Sequence, residues 1–130
     1  MRRSIFLLTV VLLAGCVDQR ACPEYRVAGG ISVDASAFVD AHPQAWTLCV
    51  TGAPCLVVNA SDPQPAVVRL LADGPGSRRV DLTVTGRDGT VLLQAGAEVP
   101  VRHIVSDARC GIASDQGALT VAADGSLNVR

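Results

Sequence analysis

The stretch "RRVDLTVTGRDGTVLLQ", residues 78–94, decides the fold class. Val80, Leu82 and Val84 alternate with Asp81, Thr83 and Thr85, a period of two that puts the apolar set on one face of a strand and the polar set on the other. Asp88-Gly89 then stands where a tight hairpin turn needs φ > 0, and a return strand follows over residues 90–95. The same device closes the chain: Leu119 and Val121 alternate up to Asp124-Gly125, and Leu127 and Val129 follow. Two Asp-Gly hairpins predict an antiparallel sheet.

Working outward, short β-rich runs are separated by Gly, Pro, Asp and Asn, with no long 3.6-residue period. Strands are expected near residues 24–28, 30–36, 45–51, 54–59, 65–72, 79–86, 90–95 and 98–106, with a closing hairpin over 117–129. About eight strands with turn signals every 8 to 12 residues predict an all-β fold, an antiparallel β-sandwich of the immunoglobulin-like kind. Ala35 to Ala41 is the one candidate helix, with Asp34 as its cap. Pro43, Pro63, Pro65 and Pro100 lack the amide hydrogen that a central ladder needs, so strands should begin, bulge or lie at an edge there.

The N-terminus carries an address. Arg2 and Arg3 precede an apolar run from Ile5 to Ala14 that ends in small residues, the order of a secretory signal. The run is too short to span a bilayer as a helix, which needs about 20 apolar residues. Leu13-Ala14-Gly15-Cys16 resembles the lipobox of bacterial lipoproteins. The resemblance implies that Cys16 is diacylated through its sulfur, that residues 1–15 are removed as a signal peptide, and that the chain sits on the extracytoplasmic face of the cell membrane. Two acyl chains anchor stably where one does not. Residues 16–22 then form the lipidated cysteine and a short tether, and residues 23–130 a single β-sandwich domain, as one domain of this length can bury a core.

Four cysteines remain: Cys22, Cys49, Cys55 and Cys110. In an exported chain an even number favours disulfides, with three connectivities open. In "AWTLCVTGAPCLVV", pairing Cys49 opposite Cys55 sets Leu48 against Leu56 and Trp46 against Val58, all on one face with the sulfurs on the other. That register favours a Cys49–Cys55 bridge and leaves Cys22 with Cys110. The other connectivities, and thiols free or bound to metal, stay open at this level. Zinc and thioredoxin-like motifs, however, hold their paired cysteines closer in sequence than these.

Charge excludes some partners. After the leader, nine arginines oppose twelve acids, so the net charge is 9 − 12 = −3, and neither sign forms a block. Nucleic acid and an anionic lipid surface would both call for a basic patch. Tyr25, Phe38 and Trp46 are the only aromatic residues after the leader, too few for base-stacking or carbohydrate platforms. The one local cationic spot is Arg78 and Arg79 in "ADGPGSRR".

Residues suited to chemistry are few. His103, Ser106 and Asp107 lie close together in "RHIVSD", but a triad needs a strained elbow or an oxyanion hole, and no glycine frames Ser106. Alternation puts His103 on the face of Val99, Val101 and Val105, without a partner in the local geometry, and it reads as structural. His42, near Asp40, has only His103 to add a second nitrogen, short of a metal site. Asp34, Asp40, Asp62, Asp73, Asp88, Asp115 and Asp124 mostly neighbour Gly, Pro or Ser, where aspartate serves turns. No metal and no cofactor is expected, and no catalytic residue is assigned. The expected function is a membrane-anchored, non-enzymatic binding domain that contacts an envelope protein or cell-wall component. The alternative is a small-ligand carrier or an enzyme whose site is assembled only in three dimensions. The whole resembles small bacterial lipoproteins with paired cysteines and an immunoglobulin-like domain.

Overall fold

The computed structural model describes residues 21–22, 29–58 and 65–130. The leader, Cys16, Pro63 and the strand expected near residues 24–28 lie outside this set. The elements are β1 (Gly30–Asp34), α1 (Ser36–Ala41), β2 (Ala45–Val50), β3 (Leu56–Val57), β4 (Val67–Leu70), β5 (Gly76–Gly86), β6 (Val91–Asp107), β7 (Ile112–Val121) and β8 (Leu127–Val129). The fold is mostly β. All eight strands lie on one hydrogen-bonded network, in the order β3-β2-β5-β6-β7-β1-β4, with β8 on β7.

The alternation in β5 is borne out, with Val80, Leu82 and Val84 buried. They join Leu48 and Val50 of β2, Ile31 and Val33 of β1, and Leu119 and Val121 of β7 in one core cluster. Burying such a side chain fully contributes about 1.5–3 kcal/mol. One core from strands at both ends of the order means that the sheet curls on itself toward a barrel.

Two differences from the sequence reading come from β6. The strands expected at 90–95 and 98–106 are a single strand of 17 residues. Its first part pairs with β5 as far as Val101↔Gly76, and its last part pairs with β7 from Arg102↔Gln116. Pro100 has no amide hydrogen to give, and the β7 ladder begins only beyond it. There β8 takes over the edge of β7, pairing Leu119 with Val129 and Val121 with Leu127. Ala118 and Arg130 extend this ladder by exchanging main-chain hydrogen bonds of 3.1 and 2.9 Å. The long strand therefore joins two wings that were expected as separate sheets. The sheet is also mixed, because β1 runs parallel to β7. A chain separation this large permits the crossover that parallel pairing requires.

The expected helix is present but starts one residue later, at Ser36, so that Ala35 rather than Asp34 is its N-cap, and the N-cap side chain makes no capping hydrogen bond. The Asp34 carboxylate accepts the Ser36 amide at 2.9 Å, and Phe38 and Val39 are buried. The helix stops at His42, the residue before Pro43, where the proline ring disfavours helical backbone. β2 follows Pro43 and β4 follows Pro65.

Both disulfides are formed: Cys49–Cys55 with Cα atoms 4.3 Å apart, and Cys22–Cys110 with Cα atoms 5.4 Å apart. Leu48 stands opposite Leu56, and the Val58 amide donates to the Trp46 carbonyl at 2.8 Å, which is the register expected for this hairpin.

The two Asp-Gly turns are copies of one another. In each the glycine amide donates three residues back, Gly89 to Gly86 and Gly125 to Ala122, and the glycine φ is positive, 83° and 86°. In each the aspartate accepts both the amide and the hydroxyl two residues on, from Thr90 and from Ser126. Both carboxyls are consequently held below their ordinary 3.8, Asp88 chiefly by the Thr90 amide and Asp124 chiefly by the Ser126 hydroxyl. A depressed folded-state value means that each turn contributes stability above the unfolded value of 3.8 and loses it as pH falls through the folded one. Carboxyl-carbon NMR titration should give midpoints below 3.8 for both groups. Midpoints at or above that value would refute the hydrogen-bond account.

Candidate functional site

The outer face of β4, β1, β7 and the last part of β6 carries a feature that no local stretch of sequence displays. Pairing aligns Arg69 with Ser32, Ser32 with Ala118, and Ala118 with Arg130 in one row across the sheet. The next row aligns Gly30 with Gln116 and Gln116 with Arg102. Directly paired residues project from the same face. In the first row the small Ser32 and Ala118 lie between Arg69 and Arg130, and in the second Gln116 lies between Gly30 and Arg102. The result is a basin of about 360 Å³ lined by Arg69, Arg102 and Arg130 above Ser32, Ala118 and Gln116. Three strand spacings separate the backbones of Arg69 and Arg130, about 14 Å.

The floor is fixed from below and from the side. Ile31 of β1 and Leu119 of β7 point the other way and are fully buried, so the two floor strands are held by the core. Gln116 donates from Nε2 to the Ser114 hydroxyl at 2.6 Å, which fixes its amide along the strand. Ile104 adds an exposed apolar lip on the Arg102 side.

Three other arginines are engaged. Arg78 reaches the Leu71 carbonyl at 2.7 Å and Asp73 at 3.7 Å, and Arg79 bonds Asp81 at 3.0 Å. Arg87 lies over the Trp46 ring, 4.1 Å from its centroid. The cationic spot read from "ADGPGSRR" is therefore matched by carboxylates. Among the described residues, no carboxylate pairs with Arg69, Arg102 or Arg130. The charge argument from sequence looked for a block, whereas the fold gathers single arginines from three strands. Only the pairing of β1 with both β4 and β7 could have revealed this, and that pairing is not local.

The histidines are not brought to one place. His42 donates from Nδ1–H to the Phe38 carbonyl, 2.8 Å away, and stacks on the Phe38 ring at the end of α1. His103 stays a structural residue, and the fold supplies the partner that its local sequence lacks. It lies opposite Asp115 on β7, with Nδ1 2.9 Å from the carboxylate, and it is exposed although Val101 two residues earlier is buried. The reason is that β6 outruns the core beyond Val101, so the apolar side of the strand meets solvent. Asp107 instead holds a turn by accepting the amides of Arg109 and Cys110. The residues of "RHIVSD" thus serve different contacts and do not converge. Neither histidine lines the arginine basin or the clefts beside Cys49–Cys55 and Trp46. Among the described residues, no group of three or more His, Cys, Asp and Glu side chains is placed to hold a metal ion, and no helix is long and apolar enough to cross a membrane. No family model, curated protein or solved structure matches the chain.

Proposed function

We propose that this chain is a lipid-anchored, extracytoplasmic binding domain of a bacterial envelope, held to the membrane through Cys16 and acting without catalysis. The observation that carries the binding reading is the arginine basin: a concavity of about 360 Å³, within the usual range of ligand pockets, on strands held rigidly by the core. The anchor reading rests on the lipobox-like Leu13-Ala14-Gly15-Cys16 and on the disulfides, which belong to an oxidising compartment. The immunoglobulin-like assignment belongs to the same proposal, supported by two wings that share one valine- and leucine-rich core.

Palmitate labelling of cells that express the native chain tests the anchor. Label on the wild type, its complete loss in Cys16→Ala, and release of the variant from the membrane fraction are the expected results. Label that persists in Cys16→Ala, or an intact residue 1 in the mature chain, would overturn it. Crosslinking on the same cells tests the binding reading, with a reproducible partner expected on the wild type.

A further inference from the structure

We infer that the basin formed by Arg69, Arg102 and Arg130 binds the phosphate group of a small ligand. The inference rests on the binding reading above and adds the ligand's chemistry. Three arginines, from β4, from β6 and from the residue after β8, line one concavity, and no carboxylate among the described residues pairs with any of them. Like charges gathered in this way repel one another and raise the local potential, which a bound anion relieves. Guanidinium forks match oxyanions with paired, charge-assisted hydrogen bonds. A carboxylate can satisfy one fork. A tetrahedral dianion offers oxygens to several at once, and arginines on opposite rims would approach it from both sides.

The floor fits this occupant. Gly30, Ser32 and Ala118 are short enough to let a phosphate approach the sheet, and the Ser32 hydroxyl lies between Arg69 and Ala118 in the row. Ile104 offers a small apolar contact for whatever the phosphate is attached to. A phosphate of this kind can come from a soluble phosphate ester or from the headgroup of the membrane to which the chain is tethered. Both sources use the same three arginines.

The test uses the full lipidated chain, isotope-labelled and held in phosphatidylcholine nanodiscs, with the guanidinium Nε–Hε signals followed by NMR at constant ionic strength. Inorganic phosphate and glycerol 3-phosphate are added in solution, and in a parallel sample phosphatidylglycerol is added to the disc. Saturable shifts at Arg69, Arg102 and Arg130, with Arg78 and Arg87 unmoved, are expected. A response to the soluble probes identifies a phosphate ester, and a response only to phosphatidylglycerol identifies the headgroup. Arg69→Gln and Arg102→Gln should each weaken binding about 10-fold, the loss of one charge-assisted contact. Each exposed substitution stands alone as a test should the other fail to fold. Absence of saturable shifts in every sample, or equal drift of all arginines, overturns the inference. So does unchanged affinity in both variants. The binding-domain reading is tested separately: the absence of any reproducible crosslinked partner on the wild type would overturn it, whereas a partner kept in full by the Arg69→Gln, Arg102→Gln double variant would leave it standing and remove the basin from it.

Discussion

Replacing Gly30 with alanine is expected to lower stability by about 3–5 kcal/mol, more than most single substitutions. Gly30 has φ of 135°, a backbone conformation that residues with a side chain rarely adopt. Holding one there costs about 1–3 kcal/mol. The new Cβ would also run into the carbonyl oxygen of Leu70 on β4. That atom belongs to a ladder strand rather than to a flexible side chain, so β1 and β4 must separate. Overpacking of this sort costs a further 1–3 kcal/mol or so. Thermal unfolding followed by circular dichroism should show a fall of roughly 12–20 °C at about 4 °C per kcal/mol. Gly89→Ala is the control: its φ is also positive, at 83°, but no atom lies within 4 Å of the added carbon. It should lose only the backbone cost. Equal losses in the two variants would mean that the β1–β4 approach has slack.

The second large effect concerns the bridges. Cys22–Cys110 closes a separation of 88 residues and Cys49–Cys55 one of 6. A cross-link removes freedom from the unfolded chain in proportion to the logarithm of the loop, about 4–5 kcal/mol for the long bridge and about 2 kcal/mol for the short one. Domains of this size are stable by about 5–15 kcal/mol in total, so loss of the long bridge alone removes a large share. Urea unfolding of the Cys22→Ser, Cys110→Ser pair beside the Cys49→Ser, Cys55→Ser pair measures the difference. The long-loop variant should unfold at clearly lower urea. A larger loss in the short-loop variant would show that hairpin geometry, rather than loop entropy, sets the worth of these bridges. Intact mass should rise by about four hydrogens on reduction, as each bridge takes up two.

What could be read in the chain beforehand was local. The alternation of Val80, Leu82 and Val84, the two Asp-Gly turns and the Leu48–Leu56 register all depend on neighbours a few residues apart, and each is found. The continuity of β6 was not legible. "QAGAEVP" has small residues where alternation would show, and Pro100 looks like a strand end when no partner is known. The parallel pairing of β1 with β7 joins the two ends of the described domain, and no short-range signal specifies it. The arginine basin inherits that difficulty, since each of its rows crosses that pairing. His103 shows the converse case: its alternation was read correctly, but how far the core extends beneath a long strand is a property of the whole fold.

The Cys22–Cys110 bond also decides how the domain carries load. A pull applied at residue 21 enters the fold at Cys22 and passes straight through sulfur to Cys110, at the turn between β6 and β7. The intervening loop lies outside the path of the force, so β1 cannot be peeled from its neighbours by tension on the N-terminal side. An 88-residue separation corresponds to about 300 Å of extended chain, all of it withheld while the bond is intact. Only β7, β8 and the residues between Cys110 and Arg130 feel a pull between the two ends. Reduction would return the residues between Cys22 and Cys110 to the path of the force, so redox state would decide how much chain tension can draw out once the strands give way.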